Sequence, residues 1–254
     1  MDRILGVLGL AAAGALASGC AGAPPVQGGF LSSYDRLAPQ DSLRAEVSMW
    51  RDEARLAGRS QVTLAPTRLM PAAAAALTPD LGEAVRREVD RQLCLELSER
   101  FEVTRAPERS DAIVVRAAVT DIAATNVAAS LLSAAASRTI PGPGAVRVPL
   151  GLGGLAGEAE ALDSATGAQL AALTWSRQAQ IVMDKGSLSK AGDAHQMAEP
   201  FGDAVGALIY VGDRDAPKRE RPEGLCGPGI GAGDVGRFLA ERALGLHIVD
   251  GGGE

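Results

Sequence analysis

Gly157-Glu158-Ala159-Glu160-Ala161-Leu162, the turn Asp163-Ser164-Ala165-Thr166-Gly167, and the alternating run that continues to about Val182 set the fold class of this chain. In the second arm Ala171, Leu173, Trp175, Ala179 and Ile181 fall on one side, and Thr174, Ser176, Gln178 and Gln180 on the other. That two-residue period around an Asp- and Gly-containing turn is the pattern of a half-buried antiparallel hairpin. The glycines from Gly151 to Gly157 are followed by this alternation and not by a helix, which sets aside a phosphate-binding loop and leaves a bulge or a close chain approach.

Working outward, Ala112 to Ile122 predicts a central strand, with Ile113, Val115, Ala117 and Val119 on one face and Val114, Arg116, Ala118 and Thr120 on the other. Phe101 to Thr104 predicts a short strand, and Gln61 to Leu64 another that Pro66 closes or confines to an edge. Thr78-Pro79-Asp80 is a helix start, with a hydroxyl cap, proline at the first helical position and a carboxylate at the positive end of the dipole. That helix should reach about Arg100, with Glu83–Arg87 and Arg86–Asp90 pairs on a solvated face. Ala194, Met197, Phe201, Ala204, Val205 and Leu208 predict a second helix beside it, interrupted or restarted at Pro200. The α+β domain is thus expected over 61–211. Residues 212–254 read as a Pro/Gly-rich linker followed by a short amphipathic helix from Asp234.

The N-terminus carries a different signal. An apolar stretch from Ile4 to Leu16, too short to span a bilayer, leads into Ala17-Ser18-Gly19-Cys20. This reads as a lipoprotein signal peptide over 1–19, with Cys20 as the lipidated first residue of the mature chain. Several acyl chains on one residue would make attachment effectively permanent. Ala21 in place of aspartate after the cysteine favours the outer membrane, facing the periplasm. Residues 20–60 then read as a tether, Pro-rich and uncharged from Ala21 to Gly29, and a docking segment that begins with Phe30 and Leu31.

Alanine dominates an apolar content of 46%, and aromatics make up 3%, so the core must be built from small side chains and few large ones remain to wall a deep pocket. A formal charge of −6 without a basic block argues against nucleic acid as partner. With Cys20 acylated, Cys94 and Cys226 remain; they either form one disulfide in an oxidising compartment or stand as two free thiols. Cys94 falls off the stripe Leu81, Val85, Val89, Leu93, which would leave its sulfur reachable. His195 and His247 read as surface residues, and with no metal-ligand spacing no metal or other cofactor is expected. Ser187-Leu188-Ser189-Lys190 lacks the companion motifs of the penicillin-recognising enzymes and reads as a chance match.

Two features bear on function. Glu158 and Glu160 share one side of a strand, roughly 7 Å apart by strand geometry, a spacing that paired glycosidase carboxylates also use. They read as a solvated sheet face, with a glycan or peptide hydrolase as the alternative. Between Ala128 and Gly153 the chain is almost uncharged, with Pro141-Gly142-Pro143-Gly144 in its middle. It is either a hairpin packed on its own sheet or an exposed patch that meets a partner or the bilayer.

The stretches Gly29 to Leu37 and Gly157 to Gly167, with Val115 to Asp121 and Gly192-Asp193-Ala194, resemble the uncharacterised bacterial lipoproteins grouped as domain of unknown function 3313. The resemblance spans roughly Gly28 to Leu208. It implies an α+β domain in which two main helices pack on one face of an antiparallel sheet, and it transfers no catalytic residue. The expectation is a non-enzymatic, lipid-anchored envelope protein that binds another envelope component, with a small apolar-ligand carrier as a further alternative.

Overall fold

The computed structural model describes residues 27–105, 112–125, 152–179 and 189–228. The signal peptide, Cys20, most of the apolar stretch after Ala128, Ser187, His247 and the helix expected from Asp234 lie outside them. The described chain forms strands β1 (Ala38–Gln40), β2 (Glu46–Arg51), β3 (Gln61–Leu64), β4 (Arg68–Leu69), β5 (Glu102–Thr104), β6 (Ile113–Ala123), β7 (Gly154–Asp163) and β8 (Gln169–Gln178). Its helices are α1 (Glu53–Leu56), α2 (Pro71–Ala76), α3 (Pro79–Ser98), α4 (Gly192–Gln196) and α5 (Ala198–Ile209).

All eight strands join one sheet in the order β1-β2-β8-β7-β6-β3-β5, with β4 paired to β6. β7 and β8 form the expected antiparallel hairpin. The sheet as a whole is mixed and not antiparallel throughout, because β3 runs parallel to both β5 and β6, and β4 parallel to β6. The reason is connectivity: α3 carries the chain back across the sheet between β3 and β5, and a helical crossover returns a strand in the same direction. β3 is consequently an interior strand, and Pro66 lies beyond its end.

The sheet also begins earlier than Gln61. β2 pairs along its whole length with β8, Val47 opposite Trp175 and Met49 opposite Leu173, so residues 38–51 belong to the domain and not to a tether or a surface-docking segment. Charges at both ends of this six-residue alternation, Glu46 and Arg51, hide it among its mixed neighbours.

Helix α3 starts and ends close to expectation. Arg86 pairs with Glu83 at 2.6 Å, but not with Asp90, which accepts from the Thr67 backbone N–H (2.9 Å) and holds Arg105 (2.8 Å). Pro200 lies in the first turn of α5, where its missing N–H breaks no helical bond, so the helix restarts after the short α4. α5 packs along α3. Gly202 and Gly206 face Gln92 and Glu96 so closely that a Cβ at Gly206 would come within 2.5 Å of Glu96 Cγ. A one-turn spacing of residues without side chains lets two helix backbones approach.

Between these helices and the sheet lies the main core, where Val85, Val89, Leu93, Leu97, Phe201, Val205 and Leu208 meet Val115, Val119, Ala159, Leu173 and Trp175, all buried. Phe201 stands over Gly157, where a Cβ would sit 2.7 Å from its ring, and 5.5 Å from the Trp175 ring centroid. This is the close approach that the glycine run allows.

Cys94 is fully buried in this core and bonded to Cys226, with Cα atoms 5.5 Å apart. The sulfur that falls off the stripe is the one Cys226 reaches, so the disulfide and not the pair of free thiols is formed. The segment bearing Cys226 covers it. Arg100 donates to the carbonyls of Arg214 and Ala216 (each 2.6 Å), the Arg219 N–H to Glu99 O (2.9 Å), and Lys218 pairs with Glu99 (2.5 Å). Residues 212–228 are thus docked onto the end of α3 and are not a linker. Main-chain acceptors hold them, and composition does not register those.

At the hairpin turn, Asp163 accepts from the Thr166 hydroxyl (2.8 Å) and N–H (2.9 Å), while Gly167 takes a φ of +69°. Arg59 reaches the other carboxylate oxygen at 2.7 Å. The Thr166 hydroxyl, then Arg59, then the Thr166 N–H hold the carboxyl down from its ordinary 3.8 to about 2. Because the folded value lies below the unfolded one, this stabilisation is complete above about pH 5 and is lost as pH falls through 3.8 to 2 and below. Asp163→Asn should therefore flatten the fall in stability across that window, as followed by circular dichroism in an acid titration. An unchanged slope would show that the turn contacts do not favour the charged form.

Candidate functional site

The second face of the sheet holds the site. Side chains of β6, β7 and β8 alternate, so those opposite the helical core are Arg116, Ala118 and Thr120, then Glu158 and Glu160, then Ala172 and Thr174. Glu158 is 1% exposed and Glu160 fully buried. The expected solvated face is not there. Residues 28–37 lie across it, and the hairpin is buried on both sides.

The match is one of period. Residues 28–32 present alternate backbone N–H groups, and the two glutamates are themselves two residues apart. Gly28 N–H donates to Glu158 Oε1 (2.5 Å), Phe30 N–H to Glu158 Oε2 (3.0 Å) and Ser32 N–H to Glu160 Oε2 (2.8 Å). The Tyr34 hydroxyl donates to Glu158 (2.7 Å), and the Ser32 hydroxyl (3.1 Å) and Gln169 amide (3.1 Å) to Glu160. Arg116 supplies a cation 3.4 Å from Glu160 and lies 5.1 Å from the Phe30 ring centroid. Burial, and then the bond to Glu158, push the Tyr34 phenol above its ordinary value. Each acceptor thus has donors that offset its removal from water.

Apolar contacts complete the clamp. Phe30 and Leu31 are buried on Ala118 and Ala172, flanked by Tyr34, Leu37 and Met70. Alanine at those positions lets the segment settle on the strands. At Gly28 a Cβ would stand 2.4 Å from Thr120 Cγ2, so only glycine fits there. Arg36 stacks on Trp50, 3.4 Å from the ring centroid, and finishes the docking.

Asp193 is another buried carboxylate outside this clamp. It accepts from the Gly153 N–H (2.9 Å) and ties α4 to the entry of β7. His195 is half-buried and not on the surface, with Nε2 3.8 Å from the Glu88 carboxylate on α3. Among the described residues no group of three or more His, Cys, Asp or Glu side chains could hold a metal ion, and no helix is long and apolar enough to cross a membrane.

The sequence brought Glu158 and Glu160 together correctly but gave them the wrong surroundings. Their partners in the 28–34 segment lie 124 to 130 residues away, and only the appearance of Phe30-Leu31 after a Pro-rich, uncharged tether hinted at a docked segment. As hydrolytic carboxylates they lack an open face. Their acceptor oxygens are already committed to the chain itself.

No curated protein shows significant similarity to this chain. Among solved structures it is similar to the PelC dodecamer from Paraburkholderia phytofirmans, at 13% identity and a TM-score of 0.37, over 63% of this chain and 96% of that one. A second PelC dodecamer from the same organism matches at 14% identity, the same TM-score and the same coverage. The family described as "Protein of unknown function (DUF3313)" matches residues 27–205, from the residue before the clamp into α5, and the chain belongs to that family.

Proposed function

We propose that this chain is a non-catalytic, lipid-anchored component of a bacterial envelope, held by Cys20 to the periplasmic face of the outer membrane and serving another envelope protein. The observation that carries this reading is the clamp. The residues that follow the tether, Gly28 to Ser32, are pinned to the middle of the sheet by Glu158 and Glu160, so the first described part of the chain is fixed to the domain. A carboxylate pair spent on holding the anchor-proximal segment fits a positioned scaffold better than an open catalytic cleft.

Fractionation and crosslinking test it. The wild-type protein should sediment with outer membranes, and Cys20→Ser should release it into the periplasm. Crosslinking in intact membranes followed by affinity capture should return a reproducible envelope protein. Identical fractionation of both proteins would remove the anchor, and repeated capture of nothing would remove the accessory role.

A further inference from the structure

One end of the sheet gathers three features that have no common role in the fold. A groove of about 1030 Å³ opens there, and Gln27, Leu43, Arg44, Ala123, Gly154 and Gln178 all line it. Gln27 is the first described residue after the tether, seven residues from Cys20, so the groove rim stands within about 25 Å of the acylation point even with the tether fully extended. Leu43 is completely exposed, the only large hydrophobic residue in that condition among the described residues. Ala123 and Gly154 are paired at the ends of β6 and β7, and between them leaves and returns the sequence from 126 to 151, whose only charged residues are Arg138 and Arg147.

We propose that this groove end is the membrane-facing surface of the domain, and that it rests on the phospholipid leaflet with Leu43 in the interface. The inference deepens the anchor reading and rests on it. A bare aliphatic side chain gains free energy by leaving water for the acyl boundary, and Arg44 beside it suits the headgroup layer. The opposite end, the turn at Ala165, lies about 33 Å farther along a ten-residue strand and faces away from the leaflet. The orientation would leave both outer strands, β1 and β5, open to a partner along the sides of the sheet.

The test uses the full lipidated protein in vesicles of phosphatidylethanolamine and phosphatidylglycerol, with an environment-sensitive fluorophore at Leu43→Cys or at Ala165→Cys. Both positions are exposed, so neither variant disturbs packing. A lipid-borne quencher should dim the label at position 43 several-fold more than the label at 165. Leu43→Asp should make the labelled Ala165→Cys protein measurably more quenched, because the domain loses its preferred pose. Equal quenching at 43 and 165 in protein that floats with the vesicles overturns the orientation alone. Protein that fails to float overturns the anchor, and the orientation with it.

Discussion

Glu158→Ala should lower the stability of the domain by about 2–4 kcal/mol and free the segment from Gly28 to Leu37. Hydrogen bonds to a charged acceptor are worth about 1.5–3 kcal/mol each, and Glu158 takes three, from Gly28, Phe30 and Tyr34. Their full sum is not the expected loss. The segment can peel away and give its donors to water, and the loss is then limited to what docking contributes. Burial of Phe30 and Leu31 is the main part of that, at about 1.5–3 kcal/mol each before the entropy of ordering is subtracted. Urea unfolding measures the change, and limited proteolysis places it. Cleavage should appear within 28–37 while β6, β7 and β8 stay protected. Glu158→Gln keeps one acceptor oxygen and should lose about half as much. A Glu158→Ala protein within about 0.5 kcal/mol of wild type, and no more sensitive to protease, would show that the clamp does not hold the segment.

Phe201→Ala should be at least as damaging, by about 3–5 kcal/mol, since it removes a fully buried ring and leaves a cavity between α5 and the sheet. The pairing with Gly157 makes a sharper experiment. Gly157→Ala alone forces a methyl against the ring, with an expected cost of about 1–3 kcal/mol. In a Phe201→Leu background the ring edge is gone, and the same methyl should cost much less or fill the vacated space. The double-mutant cycle should therefore show a coupling of about 1 kcal/mol or more. Strict additivity would mean that the glycine serves the strand and not the ring. Thermal unfolding followed by near-ultraviolet dichroism also reports Trp175, which lies beside both positions.

These two sites show how far the sequence reached. The hairpin, the central strand and both helices were legible because each rests on local regularity: a two-residue period, a proline at a helix start, a stripe of Val and Leu. The parallel strands were not, because direction depends on what lies between two strands and not on the strands themselves. β2 was missed because the charges of Glu46 and Arg51 at its two ends mask its alternation, and the docked segment over 212–228 for want of any period.

The carboxylates illustrate the same division at the site. That Glu158 and Glu160 share a face follows from alternation alone. Whether that face meets water or protein depends on residues more than 120 positions away, and no local pattern reports so distant a partner. Cys94 is the same case in the core, where helical angle places it beside the apolar stripe but only the returning C-terminal segment buries it.

By itself the sequence determined the hairpin, the central strand, the two main helices, the α+β class and the small-residue composition that a closely packed sheet requires. Tertiary structure alone decided that the sheet is mixed, that both its faces are covered, and that its acidic pair grips the chain's own beginning. The reason is physical: local propensity and periodicity act over a few residues, whereas burial and charge satisfaction are settled by whatever surface folding brings opposite.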